Sequence, residues 1–283
     1  MLRKLTIGLM LLMMCFCGLR PAAAEKMTLM VFNVGKADCL LLRSGGSCYL
    51  IDTAKGKHAE FLQEGLETLG VTHLDGVIIT HMDSDHVGGL KKLLKSGLTI
   101  DHVYISAFYH PEDKDKKENP GIKAAEKQGY EAETLRGGDE LPFDGGKLSV
   151  LGPLREAADK DDNNSVVLLA EAAGVRFLLA GDMEFSEEED LLRAGVVPEA
   201  DVLKVGNHGD DDATSIALLK AVKPGIAVIS TSTEEKASTP ARRVLEALAT
   251  WNTEVYQTQE ASWGILVTAS DGKVTAERVD SLK

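Results

Sequence analysis

One short segment, Thr80–Gly89, restricts the fold and the chemistry of this chain more than any other; it reads THMDSDHVGG. The aliphatic run before it predicts a buried strand that ends where the segment begins. Two imidazoles and two carboxylates then fall within six residues: His81, Asp83, Asp85 and His86. At the end of a strand these groups can converge on one Zn²⁺ or Mn²⁺ ion, and burying them without a cation costs free energy. The sequence therefore predicts a metal site; the alternative is a polar helix start with surface charges.

The remainder of the chain alternates between strand and helix patterns, in two halves of similar order. Two runs of strands, each followed by helices, predict a single α/β domain with two packed sheets and helices outside. The predicted helices are Ala59–Leu69, His86–Ser96, Ser186–Arg193, Ala213–Ala221 and Ala241–Thr250. The predicted strands are Met27–Asn33, Asp38–Arg43, Ser47–Asp52, Leu74–Thr80, Asp101–Ile105, Leu148–Leu151, Ser165–Ala170, Val175–Ala180, Asp201–Val205, Gly225–Ser230, Val255–Gln257, Trp263–Val267 and Lys273–Glu277.

A long polar stretch, residues 107–121, interrupts this alternation between the two halves. Loops of this length in compact domains are often functional. The stretch is predicted to be either a solvated, mobile connection or a lid over the metal site.

The first 24 residues have the pattern of a signal peptide. Arg3 and Lys4 precede an apolar run, Leu5–Leu19, and three alanines then offer a small-residue cleavage site. The apolar run is shorter than the ~20 residues of a membrane span. We therefore expect a cleaved leader at 1–24, a secreted or extracytoplasmic domain at 25–283, and no membrane span after cleavage. The alternative is an uncleaved N-terminal anchor.

The charge of the chain limits its partners. Its formal net charge is −13 at pH 7, and the charged residues of the predicted leader are all basic, so the domain itself is more acidic still. An acidic surface opposes binding to nucleic acids and to anionic membranes. Two divalent cations would make the cleft locally positive, so a small or polymeric anionic ester is a candidate substrate and nucleic acid is a disfavoured one. Nothing in the sequence indicates an oligomeric state.

The Thr80–Gly89 segment resembles the His-x-His-x-Asp-His signature of the metallo-β-lactamase superfamily, in the variant where an aspartate, Asp83, takes the place of the second histidine. That variant, with the Gly-Gly after it, is similar to the hydrolase domain of the ComEC family of competence proteins. Further blocks follow in the family's order: Asn33–Asp38, Ile51–Thr53, Asn164–Leu168, Leu179–Asp182 and Leu203–Gly209. The likeness runs from about Met27 to Thr268. It implies an αββα sandwich formed as one domain.

The resemblance implies two adjacent divalent cations, with Zn²⁺ favoured and Mn²⁺ as the alternative. The implied ligands are His81 and Asp83 for the first ion, Asp85, His86 and His208 for the second, and Asp182 as a bridge between both. In much of the superfamily the first ion has a further histidine, in a block that reads Asn163-Asn164-Ser165 here. The first site is therefore expected to be poor in ligands, and to bind weakly or to use Asn164 or water.

Four further residues are candidates for supporting roles. Asp38 and Asp52 are predicted to fix imidazole tautomers by hydrogen bonds, or else to be ordinary acids at turns and strand ends. Asn164 and Ser165 are candidates for support of the site or for contact with substrate.

The implied chemistry is hydrolysis by a water that two cations activate near neutral pH, with Asp85 as the predicted catalytic residue that orients it. We expect a phosphodiesterase that acts on a nucleic acid, a nucleotide or a phosphodiester of the cell envelope. The alternatives are a lactone or amide hydrolase of the same superfamily and a non-catalytic binding module that keeps the fold.

Two departures from the family pattern affect the expected substrate. Residues 236–240 read KASTP, where the pattern commonly has a histidine just before the proline, so a proton donor or phosphate contact is expected to be missing. Asp210, Asp211 and Asp212 place three negative charges beside the cleft, or are solvated acids at a helix start. Both departures make DNA a less favoured substrate and leave the prediction of metal binding in place.

Overall fold

The computed structural model of the protein describes residues 26–111, 118–157 and 160–282. The predicted signal peptide, 1–24, lies outside the described residues, as does the part of the polar stretch that covers 112–117. The described residues form two β-sheets packed face to face, with helices on both outer faces. The predicted α/β sandwich is confirmed.

The strands of the described residues divide into one sheet of eight and one of seven. In chain order they are β1 (Lys26–Phe32), β2 (Leu40–Ser44), β3 (Ser47–Ile51), β4 (His73–Ile79), β5 (Thr99–Ser106), β6 (Ala132–Leu135), β7 (Glu140–Leu141), β8 (Gly146–Gly152), β9 (Val167–Ala172), β10 (Val175–Leu179), β11 (Val202–Lys204), β12 (Ile226–Ile229), β13 (Glu254–Gln257), β14 (Gly264–Ser270) and β15 (Lys273–Val279). The first sheet has the order β15-β14-β1-β2-β3-β4-β5-β6, and the second has the order β13-β12-β11-β10-β9-β8-β7.

The helices cover the outer faces of both sheets. They are α1 (Ala59–Thr68), α2 (Ser84–Val87), α3 (Leu90–Leu93), α4 (Pro120–Glu126), α5 (Phe185–Ala194), α6 (Ile216–Val222) and α7 (Arg242–Thr250). Apolar side chains of α1, α3 and α4 pack on the first sheet, and those of α5, α6 and α7 pack on the second. In the part of the chain that the structure describes, no helix has both the length and the apolar character needed to span a membrane.

Strand β1 shows how the sequence builds the layers. Alternate residues Met27, Leu29 and Val31 face the second sheet, while Met30 and Phe32 face the helices, and all five are buried. This alternation follows from the two-residue period of a strand. Each large apolar side chain that is fully buried contributes roughly 1.5–3 kcal/mol relative to exposure, so a strand that is apolar on both faces is stable only between two layers.

The topology collects the ends of several strands at one edge of the sandwich. Strands β3 to β6 are parallel to one another, and so are β10 to β13. The carboxyl ends of parallel strands meet at one edge of a sheet, where open α/β folds bind their ligands. At this edge Val166 N–H donates to the carbonyl oxygen of Thr80 at 2.9 Å, and Ser106 Oγ donates to the carbonyl oxygen of Asn164 at 2.6 Å. The strand ends of the two sheets are therefore joined directly.

The helix predicted over His86–Ser96 is two short helices, α2 and α3, which separate at Gly88 and Gly89. A Cβ at Gly89 would lie 2.1 Å from the carbonyl oxygen of Thr53, so the chain passes against the end of β3 as it turns. Another difference is that α4, β6 and β7, between 120 and 141, have no counterpart in the prediction. Their apolar residues are few and their patterns short.

Candidate metal centre

Asp52 anchors one side of the site. It follows β3 with a left-handed backbone (φ 60°) and is completely buried. Its carboxylate accepts hydrogen bonds from the backbone N–H and the hydroxyl of Thr80, and from Nδ1 of His86, all at 2.8 Å. An ionised carboxylate can only accept, so His86 carries a proton on Nδ1. The other ring nitrogen, Nε2, is the one that can bind a metal.

His208 and His81 are oriented in a similar way. Nδ1 of His208 donates to the carbonyl oxygen of Ser230 at 2.9 Å, and a carbonyl can only accept. Nδ1 of His81 lies 3.1 Å from the hydroxyl of Thr80, which donates its own proton to Asp52 and so can accept one from the imidazole. His81, His208 and His86 are all completely buried, and Nε2 of each has no hydrogen-bond partner.

Asp182 reaches the imidazoles from the end of β10. Its Oδ2 lies 3.2 Å from Nε2 of His86 and 3.1 Å from Nε2 of His208, without the alignment of a hydrogen bond. Its Oδ1 is buried and has no partner. A buried polar atom without a partner costs ~1–3 kcal/mol. Four such atoms in one cluster indicate a site built for a cation.

Asp83 and Asp85 bring two further carboxylates to this cluster. Asp83 stands at the N-cap position of α2, but its side chain caps no backbone N–H there, unlike an acid whose purpose is to start a helix. Oδ2 of Asp85 lies 3.9 Å from Nε2 of His208 and 3.8 Å from Nζ of Lys36. Both aspartates line a cleft of about 260 Å³ that also contains Asp182.

The shifted pKa values of His86 and Asp182 also indicate that this cluster favours positive charge. Burial alone would lower the pKa of His86, but Asp182 and Asp52 raise it well above its ordinary value. Burial alone would raise the pKa of Asp182, but His208 and His86 hold it well below its ordinary value. A proton on His86 therefore offsets part of the negative charge in the metal-free protein. Since metal ligation requires a neutral imidazole, a cation that binds here displaces that proton.

The residues fit two divalent cations in number and in chemistry. Seven carboxylates and three lysines line the cleft, so the side chains there are mostly of the type that binds divalent cations. The structure groups His81, His86 and Asp182, and also Asp85, His86 and His208, with ligand atoms within 4.8 Å of one another. The predicted ligands thus lie at one site, and their division between two ions stays a prediction.

Asp38 contributes to the site through a buried ion pair. Nζ of Lys204 and the hydroxyl of Ser230 both donate to its carboxylate, and its Oδ1 lies 3.7 Å from Nδ1 of His208. Burial alone would raise the pKa of Asp38, but Lys204 and His208 lower it. Asp38 follows β1 and Lys204 ends β11, so the pair joins the two sheets behind His208. Sequence reasoning assigned no role to Lys204 or Ser230, because their roles depend on contacts between the sheets.

Asn164 and Ser165 fix the segment Asn163–Ser165, in which much of the superfamily has a further histidine ligand. Oδ1 of Asn164 accepts a hydrogen bond from the N–H of Ala157 at 2.8 Å, so this oxygen already has a partner. The hydroxyl of Ser165 accepts from the N–H of Asp182 at 3.1 Å and lies 3.4 Å from Nδ1 of His81. Ser165 therefore supports two of the predicted ligands.

Asp162 is a further carboxylate at the site that sequence reasoning missed. It belongs to the 3-10 turn Asp162–Asn164, and its Oδ1 lies 3.6 Å from Nε2 of His81. Burial, followed by repulsion from Asp182 and Asp83, raises the pKa of Asp162 to about 8. The one signal in the sequence for this carboxylate was the acidic pair Asp161-Asp162 just before Asn163-Asn164-Ser165.

The structure corrects two expectations about the rim of the cleft. Lys236 lines the cleft, so the segment 236–240 does supply a cation where a phosphate contact was expected to be missing. Asp210 and Asp212 line the cleft, which confirms for these two acids the prediction of negative charge beside it, whereas the alternative of a helix start was wrong, because α6 begins at Ile216. Each of the three acids pairs with a cation instead: Asp210 with Lys236, Asp211 with Arg243, and Asp212 with Lys160.

The chain is similar to proteins named for bacterial competence. It is 31% identical over 195 residues to ComE operon protein 3 of Bacillus subtilis. The aligned region covers 69% of this chain and 25% of that protein. It is 28% identical over 224 residues to competence protein ComA of Neisseria gonorrhoeae, which covers 78% of this chain and 29% of that protein. The chain thus spans about a quarter to a third of the length of the curated relatives it matches.

A solved structure shows the same fold. The metallo-beta-lactamase fold protein YhfI from Bacillus subtilis superposes with a TM-score of 0.53 and 14% sequence identity, covering 89% of this chain and 100% of that one. At this identity the likeness concerns the fold alone. The family model described as "Metallo-beta-lactamase superfamily" matches residues 33–233, which contain all six predicted ligands. This chain belongs to the metallo-β-lactamase superfamily and carries its hydrolase fold, with the ComEC-like resemblance confirmed.

Proposed function

We propose that this protein is an exported, metal-dependent phosphodiesterase. The observation that carries the choice of substrate is that three lysines, Lys36, Lys160 and Lys236, line the same cleft as the candidate metal ligands. A phosphodiester brings negative charge that such lysines bind, whereas a neutral lactone gains nothing from them. This favours a phosphodiester over the lactone alternative.

The lysines are held at the rim by carboxylates that a substrate can replace. Nζ of Lys160 lies 2.7 Å from Glu184 and 3.1 Å from Asp212, and Lys236 contacts Asp210. The side chains of Lys160 and Lys236 are 50% and 42% exposed. In the pair of Lys160 with Asp212 both side chains are about half exposed, and exposed ion pairs are weak, so exchange of this carboxylate for a phosphoryl oxygen costs little.

The chain's own residues orient the reaction. When bound, two divalent cations would supply Lewis acidity at the phosphoryl group and lower the pKa of a bound water; their ligands would be His81, Asp83, Asp85, His86, Asp182 and His208. Asp52 and Ser230 hold two of the imidazoles by Nδ1. Asp85 faces the cleft beside Lys36 and, in this proposal, orients the attacking water by accepting its hydrogen bond.

The proposal includes export and a small substrate. Export rests on the leader pattern at 1–24, and the preference for a small phosphodiester or nucleotide rests on the net charge of −13, which opposes contact with a long polyanion. Fractionation of cells that produce the chain, followed by N-terminal sequencing, tests the first point. A full-length product that stays with the cytoplasmic fraction would contradict it.

Turnover of bis-p-nitrophenyl phosphate by purified protein, after addition of Zn²⁺ or Mn²⁺, tests the activity. We expect chelator-sensitive turnover that the double substitution Asp83→Ala and His86→Ala abolishes, because it removes a ligand from each predicted ion. Faster hydrolysis of a lactone or of nitrocefin would indicate the alternative hydrolase. Bound metal without turnover of any ester would indicate a binding module.

Single substitutions of the lysines test the choice of substrate. Lys160→Ala and Lys236→Ala should each raise KM for the phosphodiester about 10-fold and leave kcat nearly unchanged, which corresponds to a loss of about 1.4 kcal/mol of binding. Lys220→Ala, on the exposed face of α6, is the matched control and should change neither constant. An unchanged KM in both cleft variants would contradict a role of these lysines in substrate binding.

A further inference from the structure

We propose that Asp162 is a direct ligand of the first metal ion. It takes the place of the histidine that is absent from the segment Asn163-Asn164-Ser165 of this chain. The inference rests on the metal-binding part of the proposed function and is independent of which ester is hydrolysed. It assigns a role to a residue outside the set His81, Asp83 and Asp182, which alone would leave the first ion with few ligands.

The distance between Asp162 and His81 fits two ligands of one ion. Oδ1 of Asp162 lies 3.6 Å from Nε2 of His81. Two ligands that each bind an ion at about 2.1 Å with a tetrahedral angle lie roughly 3.4 Å apart. The contacts of Asp182 with the other two imidazoles, at 3.1 and 3.2 Å, are of the same kind.

His81 supplies an independent indication of a ligand at this point. Its ring is completely buried, and its Nδ1 is engaged by the hydroxyl of Thr80, yet its Nε2 has no hydrogen-bond partner. A buried ring nitrogen without a partner is expected to be satisfied by water or by an ion. This nitrogen lies 3.6 Å from Oδ1 of Asp162, which lines the cleft together with the carboxylates of Asp83 and Asp182, and carboxylates favour an ion over water.

The residues on either side of Asp162 fasten the turn and leave this carboxylate for the cleft. Asp161 accepts hydrogen bonds from the N–H of Met82 at 2.8 Å and from the N–H of His110 at 2.7 Å. Asn163 contacts Glu184 and accepts from the N–H of Glu187, both at 3.2 Å. Because Met82 lies between the predicted ligands at 81 and 83, Asp161 ties the turn to the very segment that supplies them.

A carboxylate at this position gives the two ions different surroundings. The first ion would have one imidazole and three carboxylates, from His81, Asp83, Asp162 and Asp182. The second would have two imidazoles and two carboxylates. Oxygen ligands suit harder cations such as Mn²⁺, and imidazoles suit Zn²⁺. The first site should therefore discriminate less strongly in favour of Zn²⁺ than the second.

Calorimetric titration of the chelator-treated protein with Zn²⁺, and separately with Mn²⁺, tests the proposal without any substrate. We expect two binding sites in the wild type and in the control Asp211→Asn, which removes an exposed acid that pairs with Arg243. Asp162→Asn should weaken one site by more than about 100-fold and leave the other unchanged. Loss of a group that only orients a ligand lowers metal affinity ~10–100-fold. A larger loss of affinity therefore identifies Asp162 as a ligand and not a positioning residue.

A second substitution keeps the test valid if Asp162→Asn folds poorly. Asp162→His supplies an imidazole in place of the carboxylate and should restore two sites with a higher preference for Zn²⁺, together with an altered visible spectrum of the Co²⁺-loaded protein. Two wild-type affinities in Asp162→Asn, or a single site in the wild type, would overturn the proposal. Full metal binding with no phosphodiester turnover would instead contradict the proposed function and leave Asp162 as a ligand.

Discussion

Among single residues, Asp52 has the widest influence on the metal centre, because one carboxylate holds both Thr80 and His86. Asp52→Asn keeps one acceptor oxygen and replaces the other with an NH₂ donor, which then faces either the backbone N–H of Thr80 or the Nδ1 proton of His86. We expect metal affinity and turnover to fall ~10–100-fold, as is usual for groups that orient a ligand. Titration calorimetry and the phosphodiester assay measure the two effects.

The matched control is Asp101→Asn. Asp101 also contacts a histidine at 2.8 Å, His73, but both side chains are largely exposed. This variant should bind metal like the wild type. Equal losses in both variants would mean that the effect of Asp52→Asn is not a matter of ligand orientation.

Residues that act within one short segment could be predicted from the sequence, and residues that act across the fold could not. The ligands at 81, 83, 85 and 86 fall within six positions, so their spacing alone indicates a metal site. Lys204 matters because a strand of the second sheet ends opposite Asp38, and Asp162 matters because the turn just before β9 reaches His81. Neither contact can be predicted until the packing of the two sheets is known.

Among the elements, the junction of α2 and α3 has no room for an added side chain at Gly89. A Cβ at Gly89 would meet the carbonyl oxygen of Thr53 at 2.1 Å. We expect Gly89→Ala to lower the free energy of unfolding by ~1–3 kcal/mol, the usual cost of excess volume in a packed site. Thermal and denaturant unfolding of the metal-free protein measure the change.

Gly225→Ala is the control for this substitution. The Cβ it adds would have ordinary contact, 3.7 Å, with the carbonyl oxygen of Asp201. Its effect on stability should stay within ~0.5 kcal/mol, as for most surface changes. If both variants were equally stable, the close passage of the chain at Gly89 would be of no energetic importance.

The segment that carries Lys236 is fastened by its neighbour Glu235, which contacts Lys55 at 2.6 Å and Lys57 at 3.0 Å. Burial alone would raise the pKa of Glu235, but hydrogen bonds from both lysines lower it from 4.5 to about 2. Because the folded pKa is the lower one, this group contributes stability above pH 4.5 and loses it as the pH falls toward 2. After screening by solvent the contribution is ~0.5–1 kcal/mol.

Comparison of the wild type with Glu235→Gln isolates this contribution. The wild type should have the higher melting temperature at pH 7, and the difference should shrink steadily between pH 5 and pH 3. Other acids titrate in both proteins and cancel in the difference. A difference that stays constant with pH would contradict the assignment to Glu235.

The elements themselves were predictable to different degrees. Strands of the sandwich are buried on one or both faces and carry apolar runs, so nearly all were found close to their observed bounds. The prediction of one continuous helix over His86–Ser96 was wrong, because the structure has two short helices there. They separate at two adjacent glycines, where the chain turns against β3 and leaves no room for a side chain. The short elements between 120 and 141 bury few residues, and so leave only a weak pattern.

For the molecule as a whole, the metal centre joins the two sheets. Four of the predicted ligands follow β4 in the first sheet, while Asp182 and His208 follow β10 and β11 in the second. Metal that binds only the folded chain stabilises it by about 2.7 kcal/mol at a free concentration of 100 times Kd. For a domain of this size this corresponds to a rise in Tm of roughly 5–10 °C.

Scanning calorimetry with and without a chelator measures this rise. The double variant Asp83→Ala and His86→Ala serves as the control, since it should melt at the same temperature with and without metal. An equal rise in the wild type and the double variant would place the bound metal elsewhere on the protein.

Because the ligands come from both sheets, they are also far apart in the order of synthesis. Residues 81–86 leave the ribosome long before His208, and a chain without residue 208 has an incomplete second site. The second ion could therefore bind only after the chain has folded through residue 208, and it would come from the metal supply of the compartment where that happens, since affinity alone discriminates poorly among divalent ions. If the chain is exported before it folds, as the proposed function implies, the compartment in which it folds would determine which metal occupies this site.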